Sequence, residues 1–230
     1  MNSKLQLPFL LVNMAMTADG KIATANRAVS TFGSPRDHEH LLELRATADA
    51  VMAGAGTVNA APINLGPGGK NFQRQRLKRG LSEYNLRVIV SGDGSINPDA
   101  EIFRQRFSPI IILTTQRASR ARLQSLRAVA DAVKICGKTR INFSSALRWL
   151  RSEWGVKRLL CEGGGELNDA LFRASLVDEI HLTVCPKIFG GRTAPTIAEG
   201  LGFTKLRSAA RFHLTSARRV KGELFTVYSS

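Results

Sequence analysis

Aromatic side chains are scarce, at 7% of the 230 residues with only two Trp and two Tyr, and acidic side chains are outnumbered 33 to 18 by Lys and Arg. Binding of nucleic acid by stacking needs clustered charge interleaved with aromatics. Here the basic residues are spread over many segments, so nucleic acid is not the expected partner. The three cysteines, Cys136, Cys161 and Cys185, stand alone with no C-x-x-C pair. That excludes a disulfide framework and a cysteine-rich zinc site, and reads as reduced, buried thiols of a cytoplasmic protein. The H-x-E and P-C-x-x-C signature of zinc deaminases is missing. His38-Glu39-His40 is too close-set for a zinc helix, so no metal is expected. No apolar run reaches membrane-spanning length, and Met1 to Leu5 lack the basic and apolar regions of a signal peptide. The G-x-G-x-x-G fingerprint is also missing, which disfavours a Rossmann domain.

What is present is a chain 43% hydrophobic, enough to bury a core as one domain over residues 1–230. A formal charge of +15 favours anionic partners such as phosphorylated metabolites. The densest basic stretch, Lys70 to Arg79, lies in the Gly-, Pro- and Arg-rich segment from Pro62 to Glu83. It reads as a solvated surface loop, with a lid over an anionic ligand as the second reading.

Strand and helix patterns alternate along most of the chain. Leu5 to Met16 is a nearly continuous apolar run, the mark of a central strand buried on both faces. It ends at Asp19-Gly20, a turn at the strand's carboxyl end, where open α/β sheets place ligands. Ser34-Pro35-Arg36-Asp37 is a helix start, with His38, Leu41, Leu42 and Arg45 along one helical face. Strands follow at Asp49 to Ala53, Leu86 to Val90, Pro109 to Leu113, Val133 to Cys136 and Val156 to Cys161. Helices are expected at Ser119 to Ala130, Ser144 to Trp154 and from Gly165 to Ala174. The end of the chain holds strands only: Glu179 to Ile188, Ala209 to Ser216 and Arg218 to Tyr228. The pattern specifies an α/β fold, a mostly parallel central sheet flanked by helices with an antiparallel C-terminal edge.

Two glycine turns join a strand to a helix. Glu162-Gly163-Gly164-Gly165-Glu166 brings the backbone close to whatever sits over the helix N-terminus, a setting for phosphate or pyrophosphate. Ala53-Gly54-Ala55-Gly56-Thr57-Val58 repeats the context upstream, and Thr57 can offer its hydroxyl. Either turn could equally be a plain strand–turn–helix joint.

Taken in order, these residues resemble a known family, the pyrimidine reductase domain of riboflavin biosynthesis, which has the dihydrofolate-reductase-like fold. The resemblance rests on Asn13 to Ala23, Leu44-Arg45-Ala46 through Asp49-Ala50-Val51 to Gly54-Ala55-Gly56-Thr57-Val58, Leu86 to Val90, Cys161 to Leu167, and Leu176 to Ile180 running to Pro186 to Gly191. It implies NADPH as cofactor, held by Gly54, Gly56, Thr57, Ser91, Ile135 and the Glu162, Gly163, Gly164, Gly165, Glu166 turn, with Ser91 meeting the adenosine 2′-phosphate. It implies a phosphorylated small-molecule substrate contacted by Asn13, Asp19, Ser30 and Arg45, a homodimer, no membrane association, and no deaminase domain in this chain. Two departures stand out. Asn59-Ala60-Ala61-Pro62 follows Val58 where family members carry acidic residues, and Leu42 stands where a histidine is common. Asp19 is then the nearest candidate for the catalytic proton carrier, the alternative being that it only forms the turn with Gly20. The reaction implied is reduction of a ribosylamino-pyrimidinone 5′-phosphate to the ribitylamino form. The alternative is NADPH-dependent reduction of another pterin-like or carbonyl compound on the same fold.

Overall fold

The computed structural model of the protein describes residues 7–27 and 31–230. Contacts divide the chain into two compact units, the first made of residues up to Phe9 and Leu42–Leu160, the second of Leu10–Leu41 and Cys161–Ser230. The sequence suggests one domain; the units are interleaved because the first strand and helix belong mostly with the C-terminal part.

The first unit is a parallel sheet with its helices. Its strands are β2 (Ala50–Gly54), β3 (Leu86–Val90), β4 (Ile110–Thr114), β5 (Ala132–Ile135) and most of β6 (Arg158–Cys161), in the order β5-β4-β3-β2-β6. β2 pairs β3, β3 pairs β4 and β4 pairs β5, each in parallel. Val88, Ile89 and Ile110 to Leu113 are almost fully buried, which is why these strands read as unbroken apolar runs rather than alternating ones. The connections carry helices. Ser119 caps α5 (Arg120–Val129) by accepting from the Arg122 N–H. Asn142 caps α6 (Phe143–Trp154) in the same way, and α6 ends on Gly155 in the left-handed conformation.

The second unit runs in the strand order β1-β7-β9-β8, with β1 (Phe9–Thr17) and β7 (Glu179–Cys185) parallel and β9 (Glu223–Ser229) antiparallel to both β7 and β8 (His213–Val220). The antiparallel edge expected from the sequence is therefore present, but its boundary differs. β8 continues to Val220, and the hairpin turns on Lys221 and Gly222, both with positive φ, as a two-residue primed turn requires. Helices α1 (Pro35–Arg45) and α7 (Gly165–Arg173) complete the frame. Asp37, His40 and Leu41 of α1 are half-buried and Leu44 and Arg45 are buried, while His38 is exposed. Of the His38, Leu41, Leu42 and Arg45 face that the sequence suggests, Leu41, Leu42 and Arg45 turn inward and His38 does not.

Three short helices connect strands of the first unit: α2 (Ala55–Ala60), α3 (Lys70–Lys78) and α4 (Glu101–Arg104). The basic stretch is therefore a helix, and it is not wholly a solvated surface. Arg76, in its last turn, is 1% exposed and donates to the Arg45 carbonyl (2.7 Å), the Ala48 carbonyl (2.5 Å) and the Ser82 carbonyl (2.9 Å). Arg87 in β3 is fully buried and donates to the Ile102 and Gln105 carbonyls at 2.9 and 2.7 Å and to Ser108, with its guanidinium over the Phe107 ring. Burial pulls the Arg87 group down to about 10, and nearby Arg106 adds to the effect against Asp131. No described helix is long and apolar enough to cross a membrane.

Replacing Arg87 by Met should leave three loop carbonyls without a donor in a buried site. We expect a loss of about 3 kcal/mol or more of unfolding free energy in urea. Arg87→Lys should fail to restore it, because an ammonium cannot span three acceptors as the fork does. An unchanged denaturation midpoint in the Met variant would show that these bonds contribute nothing net.

Candidate functional site

Parallel strands deliver their carboxyl ends to one edge, and in each unit that edge collects the residues singled out in the sequence. In the first unit, β2 ends at Gly54 and leads into α2 with Gly56 and Thr57; β3 ends beside Ser91; β5 ends at Ile135. Gly56 and Gly92 have open space where a Cβ would stand, with no heavy atom within 4 Å. A ligand can approach the backbone at both. Ser91 is 5% exposed, Ile135 is 40% exposed, and the hydroxyl of Thr114, which pairs with Ile135, is buried without a hydrogen-bond partner.

In the second unit, the glycine turn follows β6. Gly164 is the N-cap of α7, and the Gly163–Gly164 peptide is cis. The three glycines are not equivalent. At Gly163, φ is +77° and a Cβ would stand 2.6 Å from the Met14 Sδ. At Gly165 a Cβ would stand 2.7 Å from the Thr196 carbonyl and 2.8 Å from Glu199 Cγ. The turn is clamped from outside: Glu199 N–H donates to the Gly165 carbonyl, Asn168 Nδ2 to the Ile197 carbonyl, and Asp169 accepts from the Leu201 and Gly202 amides. Gly163 and Gly165 are thus required by the chain's own packing. Glu166 is exposed in the first turn, Glu162 is half-buried, and the first-turn amides of α7 have no intrahelical acceptor.

The carboxyl end of β1 carries Asp19. Its carboxylate accepts from the Thr17 hydroxyl (2.5 Å), the Gly190 amide (2.7 Å) and the Phe189 amide (3.2 Å), tying the β1 turn to the segment after β7. The Thr17 bond is the largest of the effects that hold it below the ordinary carboxylate value. A group held ionised in this way is a poor proton donor near neutral pH. The geometry therefore gives Asp19 a loop-tying role beside the proton-carrier role that the sequence suggested. Arg45, expected on the substrate side, is 9% exposed and donates to the Gly66 carbonyl at 2.6 Å, so part of its guanidinium is committed within the first unit. Ser30 lies outside the described residues. Asn13 is 9% exposed, and its Oδ1 is buried with no hydrogen-bond partner. An unmade bond at such an atom costs about 1–3 kcal/mol, which a ligand's N–H would relieve.

Sequence reasoning missed a polar layer beneath α1. Along β7, Glu179, His181, Thr183 and Cys185 share one face. His181 bonds Glu179 at 2.8 Å and His40 at 3.1 Å. Glu223 is 4% exposed and accepts from the Ser34 amide and hydroxyl at 2.7 and 2.5 Å. Asp37 sits between these groups. Burial pushes its carboxyl above the ordinary value, the Glu223 charge adds to this, and the Thr183 hydroxyl and His38 oppose it. The alternation of polar residues in Glu179 to Cys185 was the available signal. It reads equally as a solvent face until α1 is known to cover it.

The chain matches the family described as RibD C-terminal domain over residues 8–225. It is 32% identical over 198 residues to the 2,5-diamino-6-ribosylamino-4(3H)-pyrimidinone 5′-phosphate reductase of Archaeoglobus fulgidus, covering 86% of this chain and 89% of that one. Among solved structures it resembles a pyrimidine reductase-like protein of Corynebacterium diphtheriae, with a TM-score of 0.78 at 23% identity, covering 99% of this chain and 93% of that one. It also resembles Acinetobacter baumannii RibD, with a TM-score of 0.76 at 19% identity, covering 97% of this chain. The chain spans 58% of that RibD chain. The fold is the dihydrofolate-reductase-like α/β arrangement that the sequence suggested.

Asp37 makes a pH prediction. Its folded-state pKa is raised, so the native chain holds that proton more tightly than the unfolded one. Stability from this group is intact below the unfolded value of 3.8 and declines as pH rises through the folded value. Asp37→Asn should remove that decline. The stability gap between variant and wild type, read by urea denaturation from about pH 4 to about pH 7, should change in the variant's favour. A gap constant across the range would mean that Asp37 does not titrate there.

Proposed function

We propose that this chain, which belongs to the RibD C-terminal domain family, is an NADPH-dependent reductase that converts a ribosylamino-pyrimidinone 5′-phosphate to its ribitylamino form. The observation that carries this reading is the similarity, across nearly the whole of both chains, to a protein named for that reaction. A nicotinamide cofactor, when bound, supplies the hydride. Residues present in the chain fit such a group. Gly56 and Gly92 leave backbone accessible, Thr57 and Ser91 offer hydroxyls, and the α7 N-terminus suits pyrophosphate. We therefore assign to the cofactor Gly54, Gly56, Thr57, Ser91, Ile135 and the turn from Glu162 to Glu166.

For the substrate, the buried Oδ1 of Asn13 is an acceptor waiting for a ring or amino N–H. The 5′-phosphate calls for cations. Arg36 and the exposed members of α3, Lys70, Arg74 and Lys78, are candidates beside the partly committed Arg45. Asp19 contributes by holding Thr17 to Lys21 against Phe189 and Gly190. The residues' tasks are orientation and exclusion of water from the reacting carbon.

A second reading, reduction of another pterin-like or carbonyl compound, is favoured by one feature. The Asn59-Ala60-Ala61-Pro62 loop lines a cavity of about 320 Å³, whose acidic groups are Asp99 and Glu101, from a different segment. The basic excess gives little support to nucleic-acid binding, because Arg45, Arg76 and Arg87 are buried. A homodimer is also proposed. Leu201, Phe203, Leu206 and Leu214 of the second unit are exposed apolar groups that a second copy could cover. The free, buried thiols suit a cytoplasmic setting.

The test is NADPH consumption by the full chain with the ribosylamino-pyrimidinone 5′-phosphate, with the product identified by mass. No turnover by folded protein that binds NADPH would remove the riboflavin-type assignment and leave the second reading. In the same assay Asp19→Asn should raise KM more than it lowers kcat if Asp19 only shapes the turn. A kcat loss of a hundredfold or more with KM unchanged would restore Asp19 to the chemistry.

A further inference from the structure

The turn after β3 holds an ion pair that the proposed function does not use. Ser91 is followed by Gly92, Asp93, Gly94 and Ser95. Asp93 Oδ1 accepts from the Ser95 hydroxyl (2.6 Å), the Ser95 amide (3.1 Å) and, more distantly, the Ser91 hydroxyl (3.4 Å). Its Oδ2 lies 2.9 Å from Arg122 Nη1, and the same nitrogen donates to the Asp93 carbonyl at 3.1 Å. Arg122 is in the first turn of α5, the helix that follows β4. The turn rests on that helix and the residues before it, since a Cβ on Gly94 would stand 3.0 Å from the Ala118 Cβ, 3.4 Å from the Leu126 Cδ1 and 3.6 Å from the Arg122 Cβ.

The charges set a problem for a phosphate. The two Ser95 bonds and Arg122 bring the Asp93 carboxyl down to about 2, the Ser95 hydroxyl being the largest cause. Asp93 is therefore a full negative charge at neutral pH, two residues from the hydroxyl assigned to the adenosine ribose. Alone it would accept hydrogen bonds from an unmodified 2′-hydroxyl and repel a 2′-phosphate. Arg122 reverses that balance. Among the described residues only its Nη1 is committed, Nη2 and Nε having no partner there, and the side chain is 49% exposed. A planar fork with donors to spare is the group that binds phosphate in two-point fashion. Arg117 and Arg120, exposed in the same segment, add positive field without making any such pair among the described residues.

We propose that Arg122 reads the 2′-phosphate of the dinucleotide cofactor, and that Asp93 is the positioning residue that presents its guanidinium beside Ser91. The inference rests on the nicotinamide-dependent reading above. Ser91 supplies a hydroxyl to the phosphate, Gly92 leaves the approach open, and Arg122 turns its unused edge to the anion while Nη1 stays on Asp93. Preference for NADPH is then a property of one arginine and its tether, not of the overall charge of +15.

The experiment measures Kd for NADPH and NADH with the full chain by nucleotide fluorescence, together with displacement of NADPH by 2′,5′-ADP and by 5′-AMP. Wild type should prefer NADPH and be displaced better by 2′,5′-ADP. Arg122→Ala should weaken NADPH binding tenfold or more and leave NADH within about twofold, a loss of about 1.4 kcal/mol for the phosphate alone. Arg122→Lys should give an intermediate ratio, since charge without the fork is retained. Asp93→Asn should lower the NADPH:NADH preference by less than Arg122→Ala does. A merely structural tie would instead weaken both nucleotides together and lower the melting temperature. An unchanged NADPH:NADH ratio in Arg122→Ala overturns the proposal, as does wild type preferring NADH. If wild type binds neither nucleotide, the reductase reading itself fails.

Discussion

The parallel hydrogen-bond ladder is the constraint on which the structure depends. A parallel pair cannot be closed by a tight turn, so every connection must cross over, and helices come to cover the sheet faces. Strands so connected are buried on both sides and are built from runs such as Ile110 to Leu113. Within each unit the same geometry sends the carboxyl ends of the parallel strands to one edge of that unit. Gly54, Ser91 and Ile135 lie at that edge of the first unit; Thr17 and Cys185 lie at the corresponding edge of the second. Chemistry-bearing residues far apart in the chain are collected there because the strands are parallel.

The crossovers also create a debt of unpaired carbonyls, and buried arginines settle it. Arg87 supplies one planar cation to several carbonyls of the loop after α4, and Arg76 supplies one to carbonyls at and after the end of α1 and to one after α3. A single guanidinium inside a protein is costly to desolvate, but each here has neutral acceptors on several donors. Part of the basic excess is accordingly internal structure rather than an interaction surface. What remains exposed is dispersed, which suits a small anionic ligand better than a polymer.

The carboxylates divide by the same logic. Asp19 and Asp93 lie in strand-end turns, accept several N–H or O–H bonds, and are held ionised. Asp37, half-buried on α1, and Glu223, buried beneath that helix, are less open to water. There burial raises Asp37, and Glu223 is bound by the Ser34 amide and hydroxyl at the start of the helix. The residue type is nearly constant across these sites; the number of donors and the access of water decide what each group can do.

Much of this was legible in the sequence. The apolar runs placed β2 to β6 within about two residues, the expected helices Ser119 to Ala130 and Ser144 to Trp154 fall on α5 and α6, and the shift from β/α alternation to strands alone announced the antiparallel edge. Both glycine turns were found where strands meet helices. These are local properties: periodicity, capping and turn residues act over a few positions, so the sequence alone determines them. The rest depends on which segments meet. Nothing local says that Arg76 points inward from a basic helix, or that the polar face of β7 is covered. Nor could local pattern show that Gly163 and Gly165 are demanded by Met14 and the Thr196 to Glu199 segment, or that Asp19 is tied to Phe189 and Gly190. Those outcomes belong to tertiary structure, because burial and hydrogen-bond partners come from residues tens to more than a hundred positions away.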